Sequence, residues 1–239
     1  MNGGTLGSMP WVPELFSAPV LQQVLDRRRR DALVAVPYFD GLLAGDPDPL
    51  VESFAGAPEL YDPVRGRVKD EAGFRAFVTE TSAWLREHDA SVDDVEHVIL
   101  ERSGFEEVVL HLVTERGRVD LPVAVVAERR PDGRIDEIRV YFDTEPLTGR
   151  RTGRAPLLQP ATGLTVPAAV ASYVEALGAA HGARLETCAL VDDGRACALE
   201  YNMVRPGTAL ALPQAGLAVF VADGSGGLAA VRVYGDSGA

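Results

Sequence analysis

The residues that could do acid–base chemistry are few in this chain. It has four histidines. His111 lies in the middle of an apolar strand pattern, where its imidazole faces either a cavity, as an acid or base, or a hydrogen-bonded core. His97 has Glu101 four residues further on, but two strand positions four apart are too far separated to share one metal ion. The histidine spacing therefore predicts no metal site and leaves the orientation of His111 open.

The sequence lacks the residues and motifs that other common catalytic mechanisms require. Lys69 is the single lysine, and it stands among charged residues, not in the apolar setting that lowers the pKa of an amine for Schiff-base chemistry. The sequence has no Gly-x-Ser-x-Gly elbow, no phosphate-binding Gly-Lys-Ser/Thr loop and no dinucleotide Gly-x-Gly-x-x-Gly motif after a strand. We therefore predict a protein that uses no cofactor.

The hydrophobic pattern predicts helices first and strands afterwards. Helical spacing predicts a long helix over about 19–45, kinked at Pro37, then a short helix ending near Phe54 and a third helix opened by Asp70. A brief strand is predicted over 59–64, between the last two helices. Alternation predicts further strands over 95–102, 105–115, 118–129 and 134–143, and, after one more helix at 166 to about 180, over 184–191, 196–204, 210–222 and 228–234.

One passage of the sequence occurs twice. Residues 138–143 return as 231–236, a shift of 93 residues, and each copy follows a Gly-containing turn. Upstream, Ser103-Gly104 is matched with Asp193-Gly194, and Tyr38–Leu42 with Tyr173–Leu177. Tyr38 and Gly104 are 66 residues apart, whereas Tyr173 and Gly194 are 21 apart, so by this repeat reading the second copy lacks about 45 residues. The first copy can therefore hold a pocket, whereas the second lacks the segment that would form one.

The predicted strands of the first copy carry apolar residues on both faces. Val108 and Leu110 alternate with Val109, whereas an antiparallel sheet with one wet face would alternate apolar and polar residues. The second copy has a sheet but only one helix to cover it. We therefore predict that the two sheets pack face to face, each supplying the layer that the other lacks.

Composition and charge limit the partners. The 239 residues are 46% hydrophobic and carry a formal net charge of −12, which disfavours binding to nucleic acid or to an anionic membrane surface. The one basic run, 27–30, is bracketed by Asp26 and Asp31 and reads as a solvated helix face. No secretory signal and no apolar stretch of membrane-spanning length is seen, so a cytoplasmic protein is expected. The preference for arginine over lysine hints at a GC-rich bacterial genome.

Three local phrases suggest a family. They are the segments 38–46 (YFDGLLAGD), 61–64 (YDPV) and 132–135 (DGRI). Together with the order of helices and strands, they resemble the nuclear transport factor 2-like superfamily, which includes SnoaL-like polyketide cyclases, ketosteroid isomerases and many members with no chemistry. The resemblance implies an α+β fold in which three helices and a curved antiparallel sheet form a cone. It divides the chain into a tail (1–20), a complete cone domain (21–148), a linker (149–165) and a truncated repeat (166–239).

The resemblance also implies a site. In the ketosteroid-isomerase pattern a tyrosine donates to the developing enolate oxygen and an aspartate before a proline moves the proton, and the matching positions are Tyr38 and Asp62. The second oxyanion donor of that family falls near Val125, which cannot donate. The residues expected to shape the cavity and contact a substrate are Phe54, Phe74, Phe77, Trp84, Val125, Phe142 and His111.

An epoxide hydrolase of the same superfamily would instead need an Asp-Arg-Asp set around one water. Arg139, Asp120 and Asp143 are the available residues, but Arg139 alternates with apolar neighbours and is expected to point away from the cone.

The sequence leads to two functional hypotheses. The first is a cofactor-independent enzyme that isomerises or cyclises a small apolar carbonyl compound by proton transfer. The second is a non-catalytic ligand-binding or scaffold protein in which the cone is filled by its own side chains. In either case a monomer is expected, because the repeat would cover the sheet face through which single-domain members of this superfamily pair.

Overall fold

The fold consists of two mainly antiparallel sheets, and each sheet has helical cover on one side. The computed structural model describes residues 38–150, 153–206 and 213–235. The first half contains α1 (Tyr38–Ala44), α2 (Pro47–Glu52), β1 (Glu59–Asp62), β2 (Gly66–Lys69), α3 (Glu71–Glu87), β3 (Ser91–Ile99), β4 (Ser103–Thr114), β5 (Gly117–Arg129), β6 (Ile135–Tyr141) and α4 (Glu145–Thr148). The second half contains α5 (Ala168–Ala180), β7 (Arg184–Asp192), β8 (Ala196–Val204), β9 (Gln214–Ala222) and β10 (Leu228–Tyr234).

Aspartate caps start two of the helices. Asp46 Oδ1 accepts a hydrogen bond from the backbone N–H of Asp48 at 3.0 Å, and Pro47 follows in the first turn of α2, where its missing N–H costs nothing. Asp70 Oδ1 accepts from Gly73 N at 2.8 Å, so the predicted start of α3 is confirmed. Apart from residues 38–44, the predicted long helix and its kink at Pro37 lie outside the described residues.

The first sheet has the strand order β2-β1-β6-β5-β4-β3, and the second β10-β9-β8-β7. The strand β2, which the sequence pattern did not predict, forms a hairpin with β1. β1 then pairs in parallel with β6, with Leu60 opposite Ile138, and this contact places the end of β1 beside the main meander. The fold is α+β with two sheets and few helices, as predicted.

One face of the first sheet and the helices α1 to α3 enclose the cone core. Phe74 and Val78 on α3 are fully buried, and Leu60 on β1 contributes from the sheet side. A fully buried side chain of this size stabilises the fold by about 1.5 to 3 kcal/mol relative to an exposed one. The buried residues of this core are Tyr38, Phe39, Leu42, Leu50, Phe54, Leu60, Phe74, Phe77, Val78, Leu85, Val108, Leu110, Leu112, Leu121, Val123, Val125, Ile135, Ile138, Val140 and Phe142.

The other face of the first sheet packs directly on the second sheet, as predicted. Phe105 and Val126 of the first half meet Ala198, Leu217 and Val219 of the second in one buried cluster. The far side of the second sheet is covered by α5, through Val170 and Val174. Among the described residues, no helix is long and apolar enough to cross a membrane.

A reciprocal set of buried polar contacts joins the two sheets. Arg139 donates to Glu200 through Nε (2.6 Å) and Nη2 (2.8 Å), and the Tyr141 hydroxyl donates to the same carboxylate at 2.6 Å. In the opposite direction, Arg232 donates to Glu107 through Nε (2.8 Å) and Nη2 (2.5 Å). The Tyr234 hydroxyl completes the second set at 2.6 Å from Glu107.

These contacts fix how the two copies correspond. Arg139, Tyr141 and Glu107 each have a counterpart 93 residues later, in Arg232, Tyr234 and Glu200, and the β-bulges at Asp94/Glu96 and Thr187/Ala189 keep the same offset. The alignment of Ser103-Gly104 with Asp193-Gly194 is therefore wrong, because strand pairing places Asp193-Gly194 in the turn that precedes β8, whereas Ser103-Gly104 begins β4. The error arose because the two glycines were aligned with each other, whereas corresponding turns need not have glycine at the same position.

Candidate functional site

Asp62 lies at the end of β1, on the cone side of the sheet. It alternates with Tyr61 and shares its face with the fully buried Leu60, and only 8% of Asp62 is exposed. Asp62 Oδ1 accepts hydrogen bonds from the backbone N–H groups of Val64 and Arg65, both at 2.8 Å, which fixes the β1–β2 turn. Burial raises the pKa of the Asp62 carboxyl, and these two bonds oppose that rise.

Tyr38 is buried on the same side, in α1. It is 6% exposed and packs edge to face on Phe39, with ring centroids 5.1 Å apart. Burial raises the pKa of the Tyr38 phenol well above its usual value, and the charges of Asp62 and Glu106 raise it further. The phenol therefore stays protonated at neutral pH, and it lies near enough to both carboxyls to interact with their charges.

Glu106 is a third ionisable group in this region, and the sequence analysis missed it. On β4 it shares the face of Val108 and Leu110, which belong to the cone core. The backbone N–H of Tyr38 donates to its carboxylate, and burial raises the pKa of Glu106 to about 7. The sequence did contain a signal for it. Adjacent residues of a strand face opposite sides of the sheet, so one of Glu106 and Glu107 had to face the cone and the other the second sheet.

The residues expected to shape a cavity pack against one another in the cone core. Phe54 and Phe74 are in edge contact with ring centroids 5.1 Å apart, and Phe77 follows at 6.3 Å from Phe74. Val125 and Phe142 are buried in the same cluster, whereas Trp84 is half-buried and stacks on His88 at 4.2 Å between ring centroids. The aromatic rings in this part of the chain thus contact each other and fill space between the helices and the sheet.

His111 does not line the cone, so its assignment as a substrate-contacting residue is wrong. On β4 it faces the opposite side from Leu110, and its side chain is 36% exposed. Its Nδ1 lies 2.8 Å from Asp120 Oδ1 and its Nε2 lies 3.0 Å from Asp93 Oδ2. The alternation of β4 decides the orientation, since the even-numbered residues of this strand take the cone face.

We expect the imidazole of His111 to titrate above 6.5, because the hydrogen bonds to Asp120 and then Asp93 favour its protonated form. The stability that this contributes is fully present below the pKa of the unfolded chain and is lost as the pH rises through the folded pKa. An NMR titration of the ring protons should show the pKa falling in Asp120→Asn and, by less, in Asp93→Asn. An unchanged pKa in Asp120→Asn would contradict the assignment.

The three residues considered for an epoxide hydrolase set are not brought together. Arg139 faces the second sheet, where it is paired with Glu200. Asp120 contacts His111 on the surface, and Asp143 accepts a hydrogen bond from Glu145 N at 2.9 Å. The predicted orientation of Arg139, away from the cone, is confirmed.

A cavity of ≈ 250 Å³ opens beside this region, but Tyr38 and Asp62 are not part of its lining. It lies where the end of β6 meets the segment after residue 152 and the second sheet. The described residues that line it are Pro63, Tyr141, Phe142, Gly153, Arg154, Ala155, Ala215 and Gly235. Across the described ranges, no group of three or more His, Cys, Asp or Glu residues is arranged to hold a metal ion.

Comparison with known proteins finds similarity in structure only. No family model matches the sequence, and no curated protein matches it. The structure is similar to SalBIII, an epoxide hydrolase/cyclase-like enzyme of pyran ring formation in the polyether salinomycin, with 20% identity over 49% of this chain and 92% of that one and a TM-score of 0.39.

Two further solved structures are similar over comparable lengths. One is a nuclear transport factor 2-like protein of unknown function from Cytophaga hutchinsonii, with 15% identity, 43% of this chain, 90% of that one and a TM-score of 0.38. The other is a SnoaL-like protein of unknown function from Burkholderia thailandensis, with 16% identity, 50% of this chain, 92% of that one and a TM-score of 0.34. Each neighbour is thus matched over most of its own length and over half of this chain or less.

Proposed function

We propose that the cone binds a small apolar carbonyl compound and transfers a proton on it without a cofactor, in an isomerisation or cyclisation. The observation that carries the proposal is that Tyr38, Asp62 and Glu106 lie on the cone side of the first sheet and that the charges of both carboxyls act on the Tyr38 phenol. Buried titratable groups that shift one another's pKa are typical of sites that move protons.

The chemistry assigns a different role to each group. The Asp62 carboxylate removes a proton from the carbon next to the carbonyl, and its raised pKa makes it a stronger base than a solvated aspartate. The electron pair of the broken C–H bond moves to the carbonyl oxygen, where the Tyr38 hydroxyl donates a hydrogen bond to the developing negative charge. Asp62 then returns the proton to a carbon of the product.

In the proposed site Glu106 is the second hydrogen-bond donor to the oxyanion. The family that the sequence resembles has this donor near the position of Val125, and valine cannot donate. Glu106 and Val125 are direct partners on neighbouring strands, β4 and β5. With a pKa of about 7, the Glu106 carboxyl is partly protonated at neutral pH and in that form can donate a hydrogen bond to an oxyanion. The proposal therefore includes Glu106 as a second donor.

We expect Asp62→Asn to slow exchange of the α-protons of a cyclic ketone or enone in D₂O by about 10²- to 10⁴-fold, because general base catalysis has that magnitude. Asparagine keeps an oxygen that can accept from Val64 and Arg65, so the turn is preserved. Exchange is followed by ¹H NMR on a panel of cyclohexanone, cyclohexenone and a bicyclic enone.

The matched control for this substitution is Asp132→Asn. Asp132 is an exposed turn aspartate whose Oδ1 accepts from Arg134 N, the same type of contact without the buried setting. The Asp132→Asn variant should catalyse exchange of the α-protons of the ketone at the wild-type rate. Equal rates for wild type and Asp62→Asn would overturn the role of Asp62.

The packing of the cone favours a second candidate, a non-catalytic ligand-binding or scaffold protein. The buried aromatic residues contact one another, and the cavity of ≈ 250 Å³ is lined by other residues than Tyr38 and Asp62. This candidate predicts that the wild-type protein does not accelerate exchange for any member of the panel, while the variants retain the wild-type fold and stability.

A further inference from the structure

Among the described residues that line the cavity of ≈ 250 Å³, Arg154 is the strongly basic one, and the others are mainly apolar residues and glycines. The Arg154 Nη1 donates to the carbonyl oxygen of Val140, and the guanidinium lies over the ring of Tyr141, 5.4 Å from its centroid. The backbone carbonyl of Arg154 accepts from Ala215 N at 2.8 Å. Contacts with the first half therefore hold the side chain of Arg154, and a contact with the second half holds its backbone.

The guanidinium of Arg154 has no ion-pair partner among the described carboxylates. The charges of Asp62 and then Glu200 act on it without a direct ion pair, and Glu200 is occupied by Arg139 and Tyr141. Burial lowers the pKa of the Arg154 guanidinium, which means that its charge has lost part of its hydration. A cation that is held, partly desolvated and unpaired is stabilised by an anion that reaches it.

The cavity has room for more than an ion. Phe142, Pro63, Ala155 and Ala215 give it apolar surface. Gly235 borders it with a φ of 130°, a conformation that residues with a side chain rarely adopt, and a Cβ there would lie 3.3 Å from the carbonyl oxygen of Ala215. A volume of ≈ 250 Å³ is below the usual range of drug-sized pockets, so the occupant has to be small.

We propose that this cavity is a binding site for a small organic monocarboxylate, with the carboxylate on the guanidinium of Arg154 and the apolar body against Phe142, Pro63 and Ala155. The free edge of a guanidinium, Nε and Nη2, matches the two oxygens of a carboxylate. Nη1 is the nitrogen already bonded to Val140, and within the described ranges the opposite edge has no hydrogen-bond partner, so this edge is the one assigned to the ligand. The cavity borders the proton-transfer site proposed for the cone, since Phe142 belongs to both and the charge of Asp62 acts on Arg154, but carboxylate binding does not require proton transfer.

Sodium benzoate is the probe for this site, and benzamide is its neutral counterpart of the same shape. Isothermal titration of the full chain at low ionic strength should show saturable binding of benzoate. Binding should be weaker by about tenfold or more for benzamide, and for benzoate with Arg154→Gln, because each change removes a charge-assisted contact. Equal binding of benzoate and benzamide, or equal binding by wild type and Arg154→Gln, would overturn the proposal.

Two more variants separate this site from the others. Ala155 is exposed at the rim, so Ala155→Leu should fold normally yet abolish benzoate binding by filling the cavity. Asp62→Asn should bind benzoate as tightly as wild type or more tightly, because the charge it removes acts on Arg154.

Sodium phosphate that binds as tightly as benzoate would show a general anion site and overturn the carboxylate assignment. Failure of the ketone exchange with intact benzoate binding would count against the cone proposal alone.

Discussion

Replacing Glu200 with glutamine is expected to lower the free energy of unfolding by about 3 kcal/mol. The substitution leaves the guanidinium of Arg139, whose side chain is 1% exposed, without its bidentate partner between the sheets. Arg139 retains contacts with Glu137 near the start of β6 and Glu128 near the end of β5, which keeps the loss at the lower end of the range for a broken buried ion pair. Urea denaturation followed by circular dichroism measures the difference.

The equivalent change in the other copy, Glu107→Gln, is the matched control and is expected to cost only about 1 to 2 kcal/mol. The same three contacts are weakened, but the side chain of Arg232 is 31% exposed, so water can solvate the cation that is left behind. Equal losses for the two variants would contradict the view that burial of the remaining arginine sets the cost. A double replacement, Arg139→Met with Glu200→Met, should recover part of the loss, because the buried guanidinium is then absent, while Glu137 and the Tyr141 hydroxyl each lose a partner.

The reciprocal contacts explain why a shortened copy of the cone domain is useful to the fold. A sheet that is apolar on both faces needs a second layer, and a fragment with the same strand register brings the same Glu and Arg-x-Tyr side chains in the complementary arrangement. The first half thus contributes Glu107 and Arg139, and the second contributes Arg232 and Glu200. This is the arrangement of a two-fold symmetric interface, in which each side offers the same residues to the other.

The sequence repeat showed the arginines and tyrosines of these contacts, but it showed neither their glutamate partners nor the contacts themselves. The repeated Arg-x-Tyr of β6 and β10 was visible because its neighbours are also repeated. The partners Glu107 and Glu200 were not visible, because the residues around them differ between the copies and only strand register relates them. A repeat is read from similarity, whereas a contact between sheets depends on which face each residue takes.

The same limitation applies to the site in the cone. Local phrases pointed to Tyr38 and Asp62, which are both buried on the cone side. They gave no information about Glu106, which belongs to no motif. They also gave none about His111, because the alternation of a strand shows which residues share a face but not which face is the cone side. Whether these groups act on a substrate is a matter for the exchange experiment.

Glu106 should make the stability of the protein fall as the pH rises from about 5 to 8. Its pKa is raised from 4.5 to about 7 in the folded chain, so between these values the folded state holds a proton that the unfolded state has lost. Stability decreases with pH wherever the unfolded state binds fewer protons, and a shift of this size corresponds to a difference on the order of 2 to 3 kcal/mol for this one group. Denaturant unfolding at pH 5, 6.5 and 8 measures it.

The variant Glu106→Gln isolates this contribution, because glutamine stays neutral and its side-chain oxygen can still accept from the backbone N–H of Tyr38. At pH 5 the variant and the wild type should be about equally stable, since Glu106 is then mostly protonated. At pH 8 the variant should be the more stable of the two, because it avoids placing a negative charge in the apolar core and near the carboxylates of Asp94 and Asp40. The exposed Glu87→Gln serves as the control and should differ from wild type by the same small amount at each pH. A stability difference between Glu106→Gln and wild type that does not change with pH would show that Glu106 is not the buried titrating group of the cone.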